Sequence, residues 1–309
     1  MTSTSYNTSP AKAWIVTGPT SGIGYRTALE LAKHGTVVLV GRNRGKLGEV
    51  EKEIRASGGR AVSVVADLSD ITSARRAAAE IAALGLPLTG LVNNAGIAPR
   101  RPFKTAQGWD GAFATNHLGP FAFTEALIPH LPDGATVVFI SSAVEDPERK
   151  MAVASGFRGG RYISAEASAR GEWLPGGSRV AGADAYATSK QGNLATVFAF
   201  ARQYPRLQFR AVEPGVNPGS NLGRDMNGAA RALGKAMSPI APMIPHFSTP
   251  KRAARIITKV LTDPSGATGI YYDENGKPML ASSQVRDPEF SDRYVAETRA
   301  LLATVPASK

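Results

Sequence analysis

The chain has 309 residues, of which 43% are hydrophobic and 20% charged, so it can bury a full globular core and is neither disordered nor fibrous. It contains no cysteine, which excludes disulfides, cysteine-bound zinc, iron–sulfur clusters and a thiol nucleophile. Its net charge of +11 would suit an anionic partner, but the basic residues are scattered singly or in pairs, so we expect no nucleic-acid binding.

The N-terminal segment shows no regular pattern. Residues 1–10 are rich in Ser and Thr and are predicted to form a flexible tail, and residues 11–309 a single domain. The tail lacks the basic start and apolar core of a secretory signal, and the longest apolar stretch, Leu194–Ala201, is too short for a membrane span. The sequence therefore predicts a cytoplasmic protein without a membrane span.

From Ala13 onward, short apolar runs alternate with amphipathic stretches. The predicted strands are Ala13–Val16, Thr36–Val40, Ala61–Val65, Gly90–Val92, Thr136–Ile140 and Gln208–Val212, and helical patterns include Tyr25–His34, Ile71–Leu84 and Gln107–Leu131. The strand runs are mostly apolar rather than alternating, as a parallel sheet with helices on both faces requires. This order predicts an α/β fold with a doubly wound parallel sheet.

Two later segments interrupt the alternation. Residues 143–183 are rich in Gly, Ser, Arg and Glu with few periodic apolar positions, and we interpret them as an insert. Residues 219–248 carry Met, Ile and Phe interrupted by prolines at 239, 242 and 245. That composition makes a poor core helix but suits a flexible cover over an apolar ligand, so we predict a C-terminal substrate-binding lid there.

A glycine-rich turn follows the first predicted strand. It reads Thr17-Gly18-Pro19-Thr20-Ser21-Gly22-Ile23-Gly24, and a helical pattern opens at Tyr25. Glycines let the backbone turn tightly and approach a pyrophosphate, whose charge a helix N-terminus stabilises. Because strand, turn and helix follow in this order, the segment predicts dinucleotide binding; the alternative is a tight turn without a ligand.

The turn after the second strand indicates which dinucleotide is bound. A carboxylate there would hydrogen-bond the ribose 2′-hydroxyl of NAD, but this chain reads Gly41-Arg42-Asn43-Arg44-Gly45-Lys46, without an acid. The planar guanidinium of Arg42 can pair with a 2′-phosphate. We therefore predict NADP(H) rather than NAD(H); the alternative is that Arg42 and Arg44 are solvated charges at a helix start.

A tyrosine and a lysine lie four residues apart at the start of a long helical stretch. In Tyr186-Ala187-Thr188-Ser189-Lys190 the first and last side chains fall on one helix face, about one turn apart. An ammonium in that position can favour the ionised phenol and lower its pKa towards the working pH. The pattern is common on ordinary helices, but here it follows the fifth strand of a dinucleotide-binding fold.

Together these motifs resemble the short-chain dehydrogenase/reductase family, whose members have a single Rossmann-fold domain, from about residue 12 to residue 302. Further matches to the family are Asp67-Leu68, Asn93-Asn94-Ala95-Gly96, Asn116 in Thr115-Asn116-His117-Leu118-Gly119, Ser142 after the fifth strand and Pro214-Gly215 after the sixth. The Gly41-Arg42-Asn43 turn and the segments around Asn116 and Tyr186 are most similar to the NADP-dependent retinol dehydrogenase and protochlorophyllide reductase-like branch.

The resemblance implies a role for each matching residue. Tyr186 would be the general acid or base, Lys190 would lower its pKa and hold the nicotinamide ribose, Ser142 would orient the carbonyl oxygen, and Asn116 would support a proton-carrying water. No metal site is implied. The implied cofactor-binding residues are Gly18, Thr20, Ser21, Gly22, Ile23, Gly24, Arg42, Asn43, Asp67, Leu68, Asn94, Ala95, Gly96, Tyr186, Lys190, Pro214, Gly215, Val216 and Ser220.

The sequence departs from the family pattern in two places. Ser142 and Tyr186 lie 44 positions apart, which is farther than usual, so segment 143–183 contains an insertion and the choice of Ser142 over Ser141 rests on the pattern alone. An added residue after Pro214-Gly215 places Ser220 where the family has the threonine that contacts the carboxamide.

The resemblance leads to one expected function and one alternative. We expect an oxidoreductase that transfers a hydride between NADP(H) and the carbonyl or secondary alcohol of a largely apolar small molecule. The alternative is a protein that keeps the fold but has a non-redox role, as an isomerase, a cyclase or an NADP-sensing regulator. Members with a large insert are often monomers, so the resemblance favours a monomer over a homo-oligomer.

Overall fold

The computed structural model describes residues 12–99, 101–217, 244 and 246–306. Within these residues a single sheet has eight strands in the order β3-β2-β1-β4-β5-β6-β7-β8, parallel except for the antiparallel pair β7 and β8. The strands are β1 (Ala13–Thr17), β2 (Thr36–Gly41), β3 (Arg60–Val65), β4 (Leu88–Asn93), β5 (Thr136–Ile140), β6 (Gln208–Val212), β7 (Ile270–Tyr272) and β8 (Pro278–Met279).

Helices cover both faces of the sheet, and two of the α-helices are joined by a π-helical turn, Ala114–Leu118. Short 3₁₀ turns lie at Ile128–His130 and Ala143–Glu145. The α-helices are α1 (Gly22–Leu31), α2 (Arg44–Ala56), α3 (Ile71–Ala83), α4 (Gly111–Phe113), α5 (Gly119–Leu127), α6 (Lys150–Ala154), α7 (Ala165–Arg170), α8 (Ala183–Gln203), α9 (Pro250–Thr262), α10 (Ser283–Arg286) and α11 (Pro288–Ala303). None of the helices in the described ranges is long and apolar enough to cross a membrane.

The apolar strand runs form two cores because successive side chains point to opposite faces of the sheet. Trp14 and Val16 of β1 pack with apolar residues of α1, α2 and α9 on one face. Ile15 packs into a larger cluster with α3, α5, α8 and α11 on the other. All three side chains are at most 2% exposed, so β1 is buried from both sides, as the run of apolar residues predicts.

The doubly wound fold and the six predicted strands are confirmed, β5 and β6 with the predicted ends and the other four with ends shifted by one or two residues. The two short final strands and helices α6, α7, α9, α10 and α11 were not predicted, and α2 was foreseen only as the alternative that Arg42 and Arg44 lie at a helix start. The helix predicted over Gln107–Leu131 begins instead at Gly111, because Asp110 forms a bridge with Lys104 and its carboxylate caps α4 at Phe113. The tail at residues 1–10 lies outside the described residues, as does most of the lid predicted at 219–248.

Candidate active site

The glycine turn lies between β1 and α1, at the carboxyl edge of the sheet. Gly18 and Gly22 have φ angles of 67° and 58°, and a Cβ on Gly24 would lie 2.3 Å from both the Asn94 Nδ2 and the Gly18 carbonyl oxygen. A Cβ on Gly22 would meet nothing within 4 Å, so the outer side of the turn is open. Ser21 precedes α1 without a capping side-chain bond, so the turn fits a pyrophosphate held by the first N–H groups of the helix.

The end of β4 is tied to this turn by hydrogen bonds. The Thr17 hydroxyl oxygen accepts from the backbone N–H of Asn94 and Ala95, at 3.0 and 2.9 Å. The Asn94 amide donates to the Thr17 carbonyl at 2.8 Å. These contacts bring the predicted Asn94 and Ala95 beside Gly18 and Gly24 of the turn. Gly96 and the predicted Thr20 and Ile23 are only partly buried.

The turn after β2 exposes a basic side chain next to a carboxylate. Arg42 is 60% exposed, and its Nη1 lies 3.9 Å from Asp67 Oδ2. The Asn43 side chain accepts from the Lys46 N–H at 3.0 Å, so it caps α2 and its Oδ1 is already engaged. Leu68 is buried beneath the site. Arg42, Arg44 and Lys46 are all exposed, so this turn presents cations to an anion.

Tyr186 and Lys190 lie one turn apart on α8 and face the end of β5. The Lys190 Nζ is 5.5 Å from the centre of the Tyr186 ring and donates to the Ile140 carbonyl at 2.8 Å. Both side chains are buried, at 9% and 4% exposure. The Ser142 hydroxyl lies near enough to Tyr186 to lower the pKa of the phenol, so the structure brings three of the four predicted catalytic residues together.

The pKa of Tyr186 is raised in the protein without bound cofactor, and the effect expected of Lys190 on the phenol stays a prediction. Burial raises the pKa of Tyr186, the carboxylate of Glu213 raises it further, and the Ser142 hydroxyl opposes them. Burial lowers the pKa of Lys190 to about 8, against the attraction of Glu213. The phenol is therefore protonated at neutral pH and can donate a proton.

Asn116, the fourth predicted catalytic residue, lies in the π-helical turn. Its Oδ1 accepts from the Ile97 N–H and its Nδ2 donates to the Ile97 carbonyl, both at 2.8 Å. A Cβ on Gly96 would lie 3.3 Å from the Asn116 Oδ1 and 3.8 Å from the Lys190 Nζ. The glycine thus leaves space between these two side chains, but Asn116 itself is bonded mainly to the backbone that follows β4.

The two serines at the end of β5 have different partners. Ser141 is 1% exposed and its hydroxyl donates to the Lys190 carbonyl at 3.0 Å, which fastens α8 to the strand. Ser142 instead lowers the pKa of both Tyr186 and Glu213. Because the Ser141 hydroxyl is engaged with the backbone, Ser142 stays the predicted catalytic serine.

The segment after β6 contains a residue that sequence reasoning missed. Glu213 directly precedes Pro214-Gly215, accepts the backbone N–H of Ala143, and raises the pKa of Tyr186 and of Lys190. Gly215 has a φ angle of 74° and Val216 is 43% exposed, whereas Ser220 lies outside the described residues. An acidic residue at the end of a buried strand was a signal that could have indicated Glu213.

Segment 143–183 contributes one aromatic side chain to the site. The Phe157 ring centre lies 6.3 Å from that of Tyr186. Farther along, Tyr162 stacks on Tyr294 at 3.7 Å and donates to Glu297 at 2.6 Å, which fixes the segment to α11. The segment therefore contacts both the C-terminal helix α11 and the ring of Tyr186.

A second buried carboxyl, Glu145, lies near the site without touching it. It is fully buried, and it accepts from the N–H and the hydroxyl of Ser282 at 2.9 and 2.6 Å. Burial raises its pKa to about 7; Asp146 raises it further, whereas Ser282 and Arg149 lower it. The folded protein binds this proton more tightly than the unfolded chain does, so protonated Glu145 contributes to the free energy of unfolding at low pH. This contribution is lost as the pH rises from about 4.5 to about 7.

We expect Glu145→Gln to be more stable than the parent at pH 8, by up to about 3 kcal/mol, and equally stable near pH 4.5. A glutamine can accept from the N–H of Ser282 and donate to its hydroxyl, so only the charge is lost. Urea denaturation at both pH values measures the difference. Glu148→Gln removes an exposed acid nearby and should change little, and equal stability of Glu145→Gln and the parent at pH 8 would contradict the prediction.

Several known proteins are similar to this chain. A family model described as short chain dehydrogenase matches residues 12–154. A short-chain dehydrogenase/reductase of Armillaria gallica is 33% identical over 213 residues, which are 68% of this chain and 65% of that protein. Human retinol dehydrogenase 11 is 38% identical over 138 residues, 43% of each chain. The chain belongs to the short-chain dehydrogenase/reductase family, and the similarity supports the retinol dehydrogenase-like branch expected from the sequence.

A solved structure has the same fold. A putative NAD(P) dependent gluconate 5-dehydrogenase from Beutenbergia cavernae, crystallised with bound NADP at low occupancy, superposes with a TM-score of 0.64 at 25% identity. The match covers 86% of this chain and 96% of that one. By contrast, the chain spans just under two thirds of the length of the first curated relatives that it matches.

Proposed function

We propose that this protein is an NADP(H)-dependent oxidoreductase that interconverts the carbonyl and the secondary alcohol of a largely apolar small molecule. The observation that carries the proposal is the group formed by Tyr186, Ser142 and Lys190. A buried phenol with a serine hydroxyl and an ammonium near it can exchange a proton with a substrate oxygen. The family to which the chain belongs supports the same reaction.

Each of these side chains has a distinct part in the proposed reaction. Bound nicotinamide supplies or accepts the hydride. Tyr186 donates its proton to the carbonyl oxygen during reduction and takes it back during oxidation. Ser142 orients that oxygen, and Lys190, whose pKa of about 8 leaves it largely charged at neutral pH, stabilises the phenolate that remains. Asn116, held by Ile97, supports a water that returns the proton.

The choice of NADP(H) rests on the turn after β2. Arg42 is exposed there. The acid near it, Asp67, comes after β3 and is not part of the turn. A guanidinium in this place attracts a 2′-phosphate, which NAD(H) lacks. The solved structure with bound NADP supports this choice.

An apolar substrate is supported by the side chains around Tyr186. The Phe157 ring lies beside the phenol, and Val216 is exposed next to Gly215. The name of the human relative contains retinol, which is a largely apolar alcohol, although a primary one. We also propose that residues 219–248 act as the lid over this substrate.

We further propose that the protein is a monomer. Helix α8 packs against α11, and most of its residues from Ala183 to Phe200 are buried within the chain itself. A surface that is already covered offers little apolar area to a second copy. A cytoplasmic location stays a prediction from the sequence.

Titration of the purified protein with NADPH and NADH in parallel, followed by a panel of apolar ketones and aldehydes, tests the proposal. We expect tighter binding of NADPH, and loss of nicotinamide absorbance with at least one apolar carbonyl compound. Binding without turnover across the panel would favour the non-redox alternative. If neither nucleotide binds, the proposed function is wrong.

A further inference from the structure

Many of the large apolar side chains that the described residues expose lie in or next to segment 143–183. We call this group the apolar patch, and its members are 37–65% exposed: Phe103, Met151, Val153, Leu174, Val180 and Leu280. Apolar side chains that are exposed together mark a surface for a partner. None of these residues belongs to the group formed by Tyr186, Ser142 and Lys190.

Contacts within the segment hold its share of the patch together. A Cβ on Gly156 would lie 2.9 Å from the Val180 Cγ2, so the late part of the segment lies against the end of α6. The backbone N–H of Leu174 donates to the Arg161 carbonyl at 2.9 Å. The early and late parts of the segment therefore lie side by side.

Two members join the patch from other parts of the chain. Phe103 lines a cavity together with Val180. The Arg149 guanidinium donates to the Leu280 carbonyl at 2.7 Å, next to the start of α6, the helix that carries Met151. The patch is therefore one surface to which three parts of the chain contribute.

Basic side chains accompany the apolar ones. Lys150, Arg158 and Arg179 are exposed, and the first and last of them directly precede members of the patch. Residues 147–161 contain four cations and one acid, and residues 173–182 contain one cation and no acid. The surface of the patch is therefore both apolar and positively charged.

The patch borders the reacting groups through Phe157. The ring centre of this residue lies 6.3 Å from that of Tyr186. Its backbone N–H donates to the Ala152 carbonyl at 3.0 Å, which fixes Phe157 to the end of α6. A partner that covers the patch therefore lies close to Tyr186.

A lipid surface with anionic headgroups fits both properties of the patch. Apolar side chains enter the boundary between headgroups and acyl chains, while lysine and arginine stay at the headgroups and attract their negative charge. A second copy of the chain fits poorly, because a symmetric contact through the same patch would bring cations against cations. The net charge of +11 attracts the whole protein to such a surface.

We propose that the apolar patch docks the protein on a lipid surface that carries anionic headgroups. The inference rests on the proposed function in one respect, because an apolar substrate dissolved in the lipid would reach Tyr186 past Phe157. Docking itself needs no turnover and is measured without it.

Sedimentation with lipid vesicles tests the docking. We expect vesicles of phosphatidylcholine and phosphatidylserine to bind the protein at least about tenfold more tightly than phosphatidylcholine alone, and added salt to weaken this binding. Val180→Asp places a charge among the apolar side chains and should weaken binding at least about tenfold. Its matched control is Leu84→Asp, which should stay within about twofold of the parent, because Leu84 is 38% exposed before β4, at the amino edge of the sheet.

Lys150→Glu tests the contribution of charge at the patch. Lys52→Glu, on the exposed side of α2, makes the same change of net charge elsewhere. We expect Lys150→Glu to weaken vesicle binding at least about fivefold and Lys52→Glu less than about twofold. Val180→Asp and Lys150→Glu should both keep the parent kinetics with a water-soluble ketone, since neither residue belongs to the reacting group.

The proposal is overturned if the parent does not bind the anionic vesicles, or if either control weakens binding as much as its counterpart in the patch. A dimer in light scattering that Val180→Asp abolishes, without vesicle binding, would assign the patch to a second copy and would equally overturn it. Failure of the proposed function gives a different result, namely a parent protein that binds the vesicles but oxidises no nicotinamide with any carbonyl compound.

Discussion

Replacing Tyr186 by phenylalanine is expected to abolish turnover while leaving NADPH binding nearly intact. The substitution removes one hydroxyl and keeps the ring that packs beside Phe157. Proton transfer by a positioned side chain contributes about 10²- to 10⁴-fold to a rate, and we expect a loss at the upper end of that range. Single-turnover reduction of an apolar ketone measures the rate, and nicotinamide fluorescence measures the Kd for NADPH.

Tyr204→Phe provides the control for this substitution. Its hydroxyl also has a partner, Arg299 at 3.1 Å, but it lies at the far end of α8 from Tyr186. We expect parent kinetics for Tyr204→Phe. Turnover by Tyr186→Phe within about tenfold of the parent rate would show that another group delivers the proton.

The order of strands and helices was predictable because each central strand is buried on both faces. Such strands appear as continuous apolar runs, as Thr136–Ile140 does. The edge of the sheet was not predictable in this way, since β7 has three residues and β8 has two, too few to show a pattern. Helix α2 could have been found, because its buried residues Leu47, Val50 and Ile54 follow helical spacing.

The residues of the candidate site that belong to sequence motifs were predictable. The spacing of Tyr186 and Lys190 indicated that they share a helix face, and they do. The direction of the tyrosine pKa was not predictable, because it depends on burial and on Glu213, which lies 27 positions farther along the chain. Charges that meet only in the folded chain leave no local pattern in the sequence.

Replacing Arg42 by aspartate is expected to reverse the preference for the phosphorylated cofactor. The guanidinium is 60% exposed at the end of β2, where a 2′-phosphate would lie, and a charge-assisted pair of this kind contributes about 1.5–3 kcal/mol. The new carboxylate would repel the phosphate together with Asp67, and it could accept a hydrogen bond from the 2′-hydroxyl of NADH. We expect the Kd for NADPH to rise at least about 100-fold, while that for NADH changes less than about threefold.

Parallel titrations at low and high salt separate this specific effect from the general positive charge of the protein. Lys52→Asp makes the same change of charge on the exposed side of α2 and should weaken NADPH binding only slightly. This small effect should become smaller still at high salt, because salt screens exposed charges. The loss in Arg42→Asp should persist at high salt, because the new carboxylate lies against the phosphate itself. An equal loss of affinity for both nucleotides would mean that Arg42 supports the fold of the turn and does not recognise the phosphate.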